Sequence, residues 1–194
     1  MKFQIANALT FARIVMIPLV VVCFYLPYSW GKPAAAMVFI AAAITDSLDG
    51  YLARKLNQMS ALGAFLDPVA DKLMVAVALI LLVSDEPVYL RPFHFNPHML
   101  ITITAAIIVG REITISALRE WMAEMGARGK VAVSSMGKLK TIFQMTGLSM
   151  MLYRDDLLGL PVLELGVACL VAAAALTLWS MLAYLGAAWP ELRK

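Results

Sequence analysis

Apolar residues dominate the chain in six stretches, over residues 14–26, 34–57, 61–83, 98–125, 134–153 and 160–186. Most approach or exceed the roughly 17–25 residues that a helix needs to cross a bilayer. The separators are short and rich in turn and interface residues: LPYSWGKP at 26–33, NQMS at 57–60, SDEPVYLRPFHFNP at 84–97 and YRDDLLGLP at 153–161. The pattern predicts an all-α fold, a polytopic membrane protein with six transmembrane helices. Residues 1–13 begin like a signal peptide, but Asn7, Thr10 and Arg13 interrupt the start at three-residue spacing. An N-terminal interfacial helical segment running into the first span fits that spacing better. Pro68 within the third stretch removes one backbone donor and predicts a local kink.

Composition narrows this picture. With 194 residues, 62% of them hydrophobic, and a mean hydropathy of +0.81, almost nothing remains for a soluble appendage, and residues 1–194 are expected to form a single membrane domain. Cys23 and Cys169 fall inside apolar stretches and read as small packing residues rather than a disulfide. His94 and His98 flank Pro97 and read as loop residues. The net charge of +3 is too small, and too close to the apolar stretches, for a nucleic-acid surface. Its distribution is informative. Lys2, Arg13, Arg54, Lys55, Arg119, Arg128, Lys130, Lys138, Lys140, Arg193 and Lys194 fall towards one side, and Lys32, Arg91 and Arg154 towards the other. The positive-inside rule makes the first side cytoplasmic, with both termini on it.

Four acids break the apolar pattern of the second and third stretches: Asp46, Asp49, Asp67 and Asp71. On helices, Asp46, Asp49, Gly50 and Ala53 share one face, as do Gly63, Asp67 and Asp71. An antiparallel hairpin turning near residue 58 sets Asp46 level with Asp71, Asp49 with Asp67, and Ala53 with Gly63. All four carboxylates then fall within about two helical turns. Their mutual repulsion calls for a compensating cation, and a hard divalent ion prefers oxygen ligands. Pairing with Arg54, Lys55 and Lys72 is the simpler alternative, but it leaves the small residues on the same faces without a purpose. Those look placed to admit a bulky ligand.

A cluster of this kind at the cytoplasmic edge, with cations nearby, suggests a phosphorylated substrate carrying a lipid tail. Magnesium typically shares its coordination with phosphate oxygens, and two ions can clamp a displacement at phosphorus. Arg111, deep in the fourth stretch, together with Arg119, Lys138 and Lys140, is expected to hold a second phosphate. Setting the membrane topology is the alternative role for these four.

The pattern D-x2-D-G-x2-A-R-x8-G-x3-D-x3-D runs from Asp46 to Asp71 without a departure, eight fixed positions over 26 residues. It resembles the signature of the CDP-alcohol phosphatidyltransferases. NALTFAR, GREITISALREWMAEMG and GKLKTIFQ extend the likeness over nearly the whole chain and resemble the members that use glycerol 3-phosphate. The resemblance implies six membrane helices, a homodimer, and an active chamber facing the cytoplasm, in the inner membrane of a bacterium. It implies that Asp46, Asp49, Asp67 and Asp71 bind Mg²⁺ or Mn²⁺, two ions per site, with Asp71 also the general base. Gly50, Ala53 and Gly63 would line a cytidine pocket and Arg54 would assist the diphosphate of CDP-diacylglycerol.

Other readings share parts of this pattern. A sister enzyme would use serine, inositol phosphate or phosphatidylglycerol as acceptor. An intramembrane prenyltransferase also uses aspartates and Mg²⁺, but in two separated motifs. An ion-coupled transporter buries carboxylates without needing Gly50, Ala53 and Gly63.

Overall fold

The computed structural model describes residues 5–56, 61–86, 89–91, 96–126 and 135–192, without the side chains of 5–8, 47–56, 61, 62, 64, 135, 136, 187 and 190–192. These residues form α1 (Ile5–Tyr25), α2 (Gly31–Leu56), α3 (Ala61–Ser84), α4 (His98–Glu124), α5 (Ser135–Tyr153) and α6 (Val162–Leu192). No strand forms among the described residues; Leu157 and Leu160 pair across the α5–α6 turn. The all-α expectation and the ends of α2 to α5 match the hydropathy pattern closely. Helix α6 runs six residues past the predicted end at 186. Helix α3 continues through Pro68.

Residues 5–25 form one helix, and Thr10 and Arg13 are buried on it, 2% and 1% exposed. This part of the expected interfacial segment therefore faces protein. The reason is polarity: both side chains find carboxylate partners, Arg13 through its charge and Thr10 through its hydroxyl, as described below.

The chain divides into two compact units, one of Met1–Glu86 with Leu148–Leu163, the other of Pro87–Gly147 with Glu164–Lys194. In the first, α1 packs against both α2 and α3, whereas among the described residues α2 and α3 touch little. Ala35, Ala36, Phe39 and Ala42 form a buried, mostly small stripe on α2. Small residues let helix backbones approach closely. The α1–α2 turn is equally tight: a Cβ on Gly31 would lie 2.8 Å from the Cys23 carbonyl oxygen. At the far end of this unit Asp85 accepts from Lys32 Nζ at 2.7 and 2.9 Å and from Arg154. Arg154 holds a left-handed backbone, φ 69°, a conformation uncommon outside glycine, at the point where α5 ends.

In the second unit, Ile101, Thr104, Ala105, Ile108, Arg111, Ile115 and Met122 line the buried face of α4, at steps of three, four and seven. Gly126, φ 70°, closes the helix by donating to the Ala123 carbonyl. Gly147 on α5 meets α6 backbone to backbone: a Cβ there would stand 2.9 Å from Leu170 N and 3.0 Å from Gly166 O. Gly147→Val is expected to cost about 1–3 kcal/mol, since neither contact is a side chain that can swing away. A lower thermal unfolding midpoint in detergent checks it.

Polarity is inverted relative to a water-soluble bundle. Val15, Ile80, Met99, Ile142, Trp179 and Leu182 are each more than 60% exposed, while Arg13, Arg111, Lys140 and Gln144 are buried. Such an apolar exterior suits lipid better than water. Among the described residues two helices are long and apolar enough to cross a membrane, α4 with mean hydropathy 1.6 and α6 over Val162–Gly186 with 2.1.

Candidate active site

Asp46 lies near the C-terminal end of α2, and Asp67 and Asp71 lie one turn apart on α3. The junction between them is made by α1. Arg13 Nη1 stands 2.7 Å from Asp46 Oδ1 and 2.6 Å from Asp71 Oδ1. Both oxygens therefore converge on one nitrogen, which confirms that these two acids lie at the same level. They do so with a guanidinium between them instead of facing each other directly. One helical turn earlier on α1, Thr10 Oγ1 donates to Asp67 Oδ1 at 2.6 Å. Gly63, one turn before Asp67, is buried.

The side chains are layered. That of Arg13 is 2% exposed, whereas those of Asp46 and Asp71 are 42% and 48% exposed. The cation supports the carboxylates from beneath and their outer sides remain accessible. The side chains of Asp49, Ala53 and Arg54, and the surroundings of Gly50, lie outside the described residues, so the predicted cytidine and diphosphate contacts rest on sequence. Among the described residues no three metal-binding side chains form a ready metal site. The donor set nevertheless fits a hard divalent ion: it is carboxylate oxygen throughout, and two of these oxygens already meet at a cation.

A second polar cluster occupies the other unit. Glu112 on α4 accepts from Arg111 Nη1 at 3.1 Å and from Lys140 of α5 with the same oxygen. Arg111 Nη2 also donates to Ser180 Oγ of α6 at 3.4 Å. Arg119, about 12 Å along α4 from Arg111, donates to the Tyr184 hydroxyl at 3.4 Å. The guanidinium carbons of Arg111 and Arg119 lie 5.8 and 5.4 Å from the centroid of the Tyr184 ring, within cation–π range. Ile115, Met122 and Ala188 pack with Tyr184 and hold it in place.

Arg111 and Lys140 thus share one described carboxylate, and Arg119 adjoins the same Tyr184 ring as Arg111. Arg111 Nε, Arg119 Nε, Gln144 Oε1 and Thr177 Oγ1 are buried without a hydrogen-bond partner among the described residues. Buried cations need compensation, and an anion with several acceptor oxygens would supply it. Lys138, grouped with these cations by sequence, is exposed and makes none of these contacts. Arg111, Arg119 and Lys140 are brought together.

Sequence reasoning missed Thr10 and Arg13 beneath the acids, Glu112 as the internal counter-ion, and Ser180 and Tyr184 on α6. A signal existed for the first pair, since polar residues inside an apolar helix are costly and tend to face partners. Tyr184 gave no such sign in a stretch that reads as plain apolar helix.

The sequence profile of the CDP-alcohol phosphatidyltransferases matches residues 3–179. The chain belongs to this family. Among its relatives are proteins of Salmonella choleraesuis (strain SC-B67), Shigella flexneri and Escherichia coli (strain K12), each named CDP-diacylglycerol–glycerol-3-phosphate 3-phosphatidyltransferase. Each is 48% identical over 192 residues, covering 99% of this chain and 98% of the relative. As a CDP-alcohol phosphatidyltransferase, the chain carries three of its four motif acids on the described side chains of α2 and α3. The family match runs through both units.

Proposed function

We infer that this chain transfers the phosphatidyl group of CDP-diacylglycerol to sn-glycerol 3-phosphate, giving phosphatidylglycerophosphate and CMP. The near full-length 48% identity to enzymes named for that reaction carries the inference. A hydroxyl oxygen of glycerol 3-phosphate bonds to the phosphorus bearing diacylglycerol, the bond from that phosphorus to CMP breaks, and the hydroxyl proton passes to Asp71. Asp46, Asp49, Asp67 and Asp71 would hold Mg²⁺ or Mn²⁺, two ions per site. When bound, the metal neutralises the diphosphate and stabilises the leaving phosphate. Asp71, half-exposed and close to Asp46, is open to a substrate hydroxyl. Gly50, Ala53 and Gly63 would make room for cytidine, and Arg54 would contact the diphosphate.

Arg111, Arg119 and Lys140 would bind the phosphate of the acceptor. Their support is the sharing of one carboxylate by two buried cations, Arg111 and Lys140, and the Nε atoms of Arg111 and Arg119, buried without a partner among the described residues. The two units would serve one catalytic domain, residues 1–194. The reading includes six membrane spans in a bacterial inner membrane, two chains per assembly, and an active site and termini on the cytoplasmic side. The lysine and arginine distribution supports that orientation.

Purified protein in detergent, given CDP-diacylglycerol and Mg²⁺, is expected to release CMP with glycerol 3-phosphate. Serine, inositol phosphate and phosphatidylglycerol are expected to give none above background. Release with one of those instead would reassign the acceptor, and release with none of the four would remove the activity.

A further inference from the structure

The geometry points to Arg13 and Thr10 of α1 as positioning residues that preform the divalent-cation site by holding one oxygen of each of three motif carboxylates. The contacts are few and specific. Arg13 Nη1 takes Asp46 Oδ1 and Asp71 Oδ1, and Thr10 Oγ1 takes Asp67 Oδ1. Thr10 and Arg13 lie three residues apart on one helix, so both project from the same face. The two helices bearing the acids have little contact with each other among the described residues, and both pack on α1. Their carboxylates therefore take their relative positions from a third element. A shift of α1 would separate the ligands even if α2 and α3 stayed intact.

Exposure decides whether Arg13 supports a divalent ion or competes with it. A competing cation would sit at the open side of the acids, where the ion must enter. Arg13 is instead buried beneath half-exposed carboxylates, and can stay in place when the ion arrives. Its charge also offsets the repulsion that would otherwise drive Asp46 and Asp71 apart in the empty site. Thr10 has no charge to contribute. It fixes the orientation of Asp67, as an outer hydrogen-bond partner does for many metal ligands.

The inference rests on the proposed metal role of the four aspartates, and the test separates the two. Mn²⁺ binding to purified protein in detergent, without substrate, would be followed by electron paramagnetic resonance. Wild type would be compared with Arg13→Gln, Arg13→Lys, Thr10→Val, Thr10→Ser and Asp67→Asn. Loss of an outer-sphere partner typically weakens metal binding about 10–100-fold, so Arg13→Gln and Thr10→Val are expected to fall in that range. Arg13→Lys and Thr10→Ser, which keep the charge and the hydroxyl, should recover part of the loss. A general packing defect would not be rescued in that way. Unchanged or tighter Mn²⁺ binding in Arg13→Gln and Thr10→Val, with Asp67→Asn impaired, would overturn the positioning role and leave the metal reading standing. If Asp67→Asn binds as well as wild type, or wild type binds no Mn²⁺, the metal reading fails and the positioning role with it. Should Arg13→Gln not fold, Thr10→Val against Thr10→Ser decides the matter, equal affinities overturning it.

Discussion

Asp71→Asn is expected to lower the rate of CMP release by at least about 100-fold while the protein still folds. The substitution keeps the size and planarity of the side chain, and an amide oxygen can still accept from Arg13 Nη1. It removes the negative charge and the capacity to take up a proton. A general base accounts for about 10²–10⁴-fold in rate, and a lost anionic metal ligand adds to that. The two contributions can be separated. If Asp71 acts only as a ligand, raising Mg²⁺ should restore much of the rate, as expected for Asp67→Asn. If it also accepts the acceptor's proton, saturating Mg²⁺ leaves kcat low. The check is CMP release across a Mg²⁺ series, with an unfolding curve in the same detergent as the control. More than about a tenth of wild-type kcat at saturating Mg²⁺ would remove the base role.

The hairpin arithmetic anticipated this site to a useful degree, because two helices of known rise leave few ways to place residues 46 and 71 in register. Asp46 and Asp71 do meet at one level. What periodicity did not reveal was the third helix. Arg13 stood among the orientation-setting cations and Thr10 within an interfacial segment, because a residue's partners on a distant helix leave no trace in local spacing. The same limit separates Lys138 from Lys140. Two positions apart on a helix, they project about 200° apart round the axis, yet only packing decides which side is inward. Lys140 is 4% exposed and bonded to Glu112, and Lys138 faces outward. Glu112 illustrates the point from the other direction. It lies in a segment whose cations drew attention, and its own role became visible only when α5 was brought alongside. The all-α fold and the helix boundaries were the most legible features, since hydropathy acts residue by residue and turn residues punctuate it.

That separation gives the second large effect. Lys140→Met is expected to reduce kcat/KM for glycerol 3-phosphate by about 10–100-fold, the range for losing a charge-assisted hydrogen bond to phosphate. Lys138→Met should change it by no more than about twofold, as for an exposed charge of small effect. The KM for CDP-diacylglycerol should hold in both, because Lys140 belongs to the acceptor cluster in the proposed scheme. A structural role alone predicts another result. Removing Lys140 leaves Glu112 with Arg111 as its described partner, so the stability lost should stay below the about 3–5 kcal/mol of a fully orphaned buried charge. A variant impaired only in this way would unfold at lower temperature and lose activity evenly towards both substrates. Lys140→Arg provides the complementary measurement: it retains the charge and reaches phosphate with a different geometry, so partial recovery of the glycerol 3-phosphate KM is expected. Equal losses for both substrates, with no recovery by arginine, would assign Lys140 to the framework and leave the acceptor phosphate to Arg111 and Arg119.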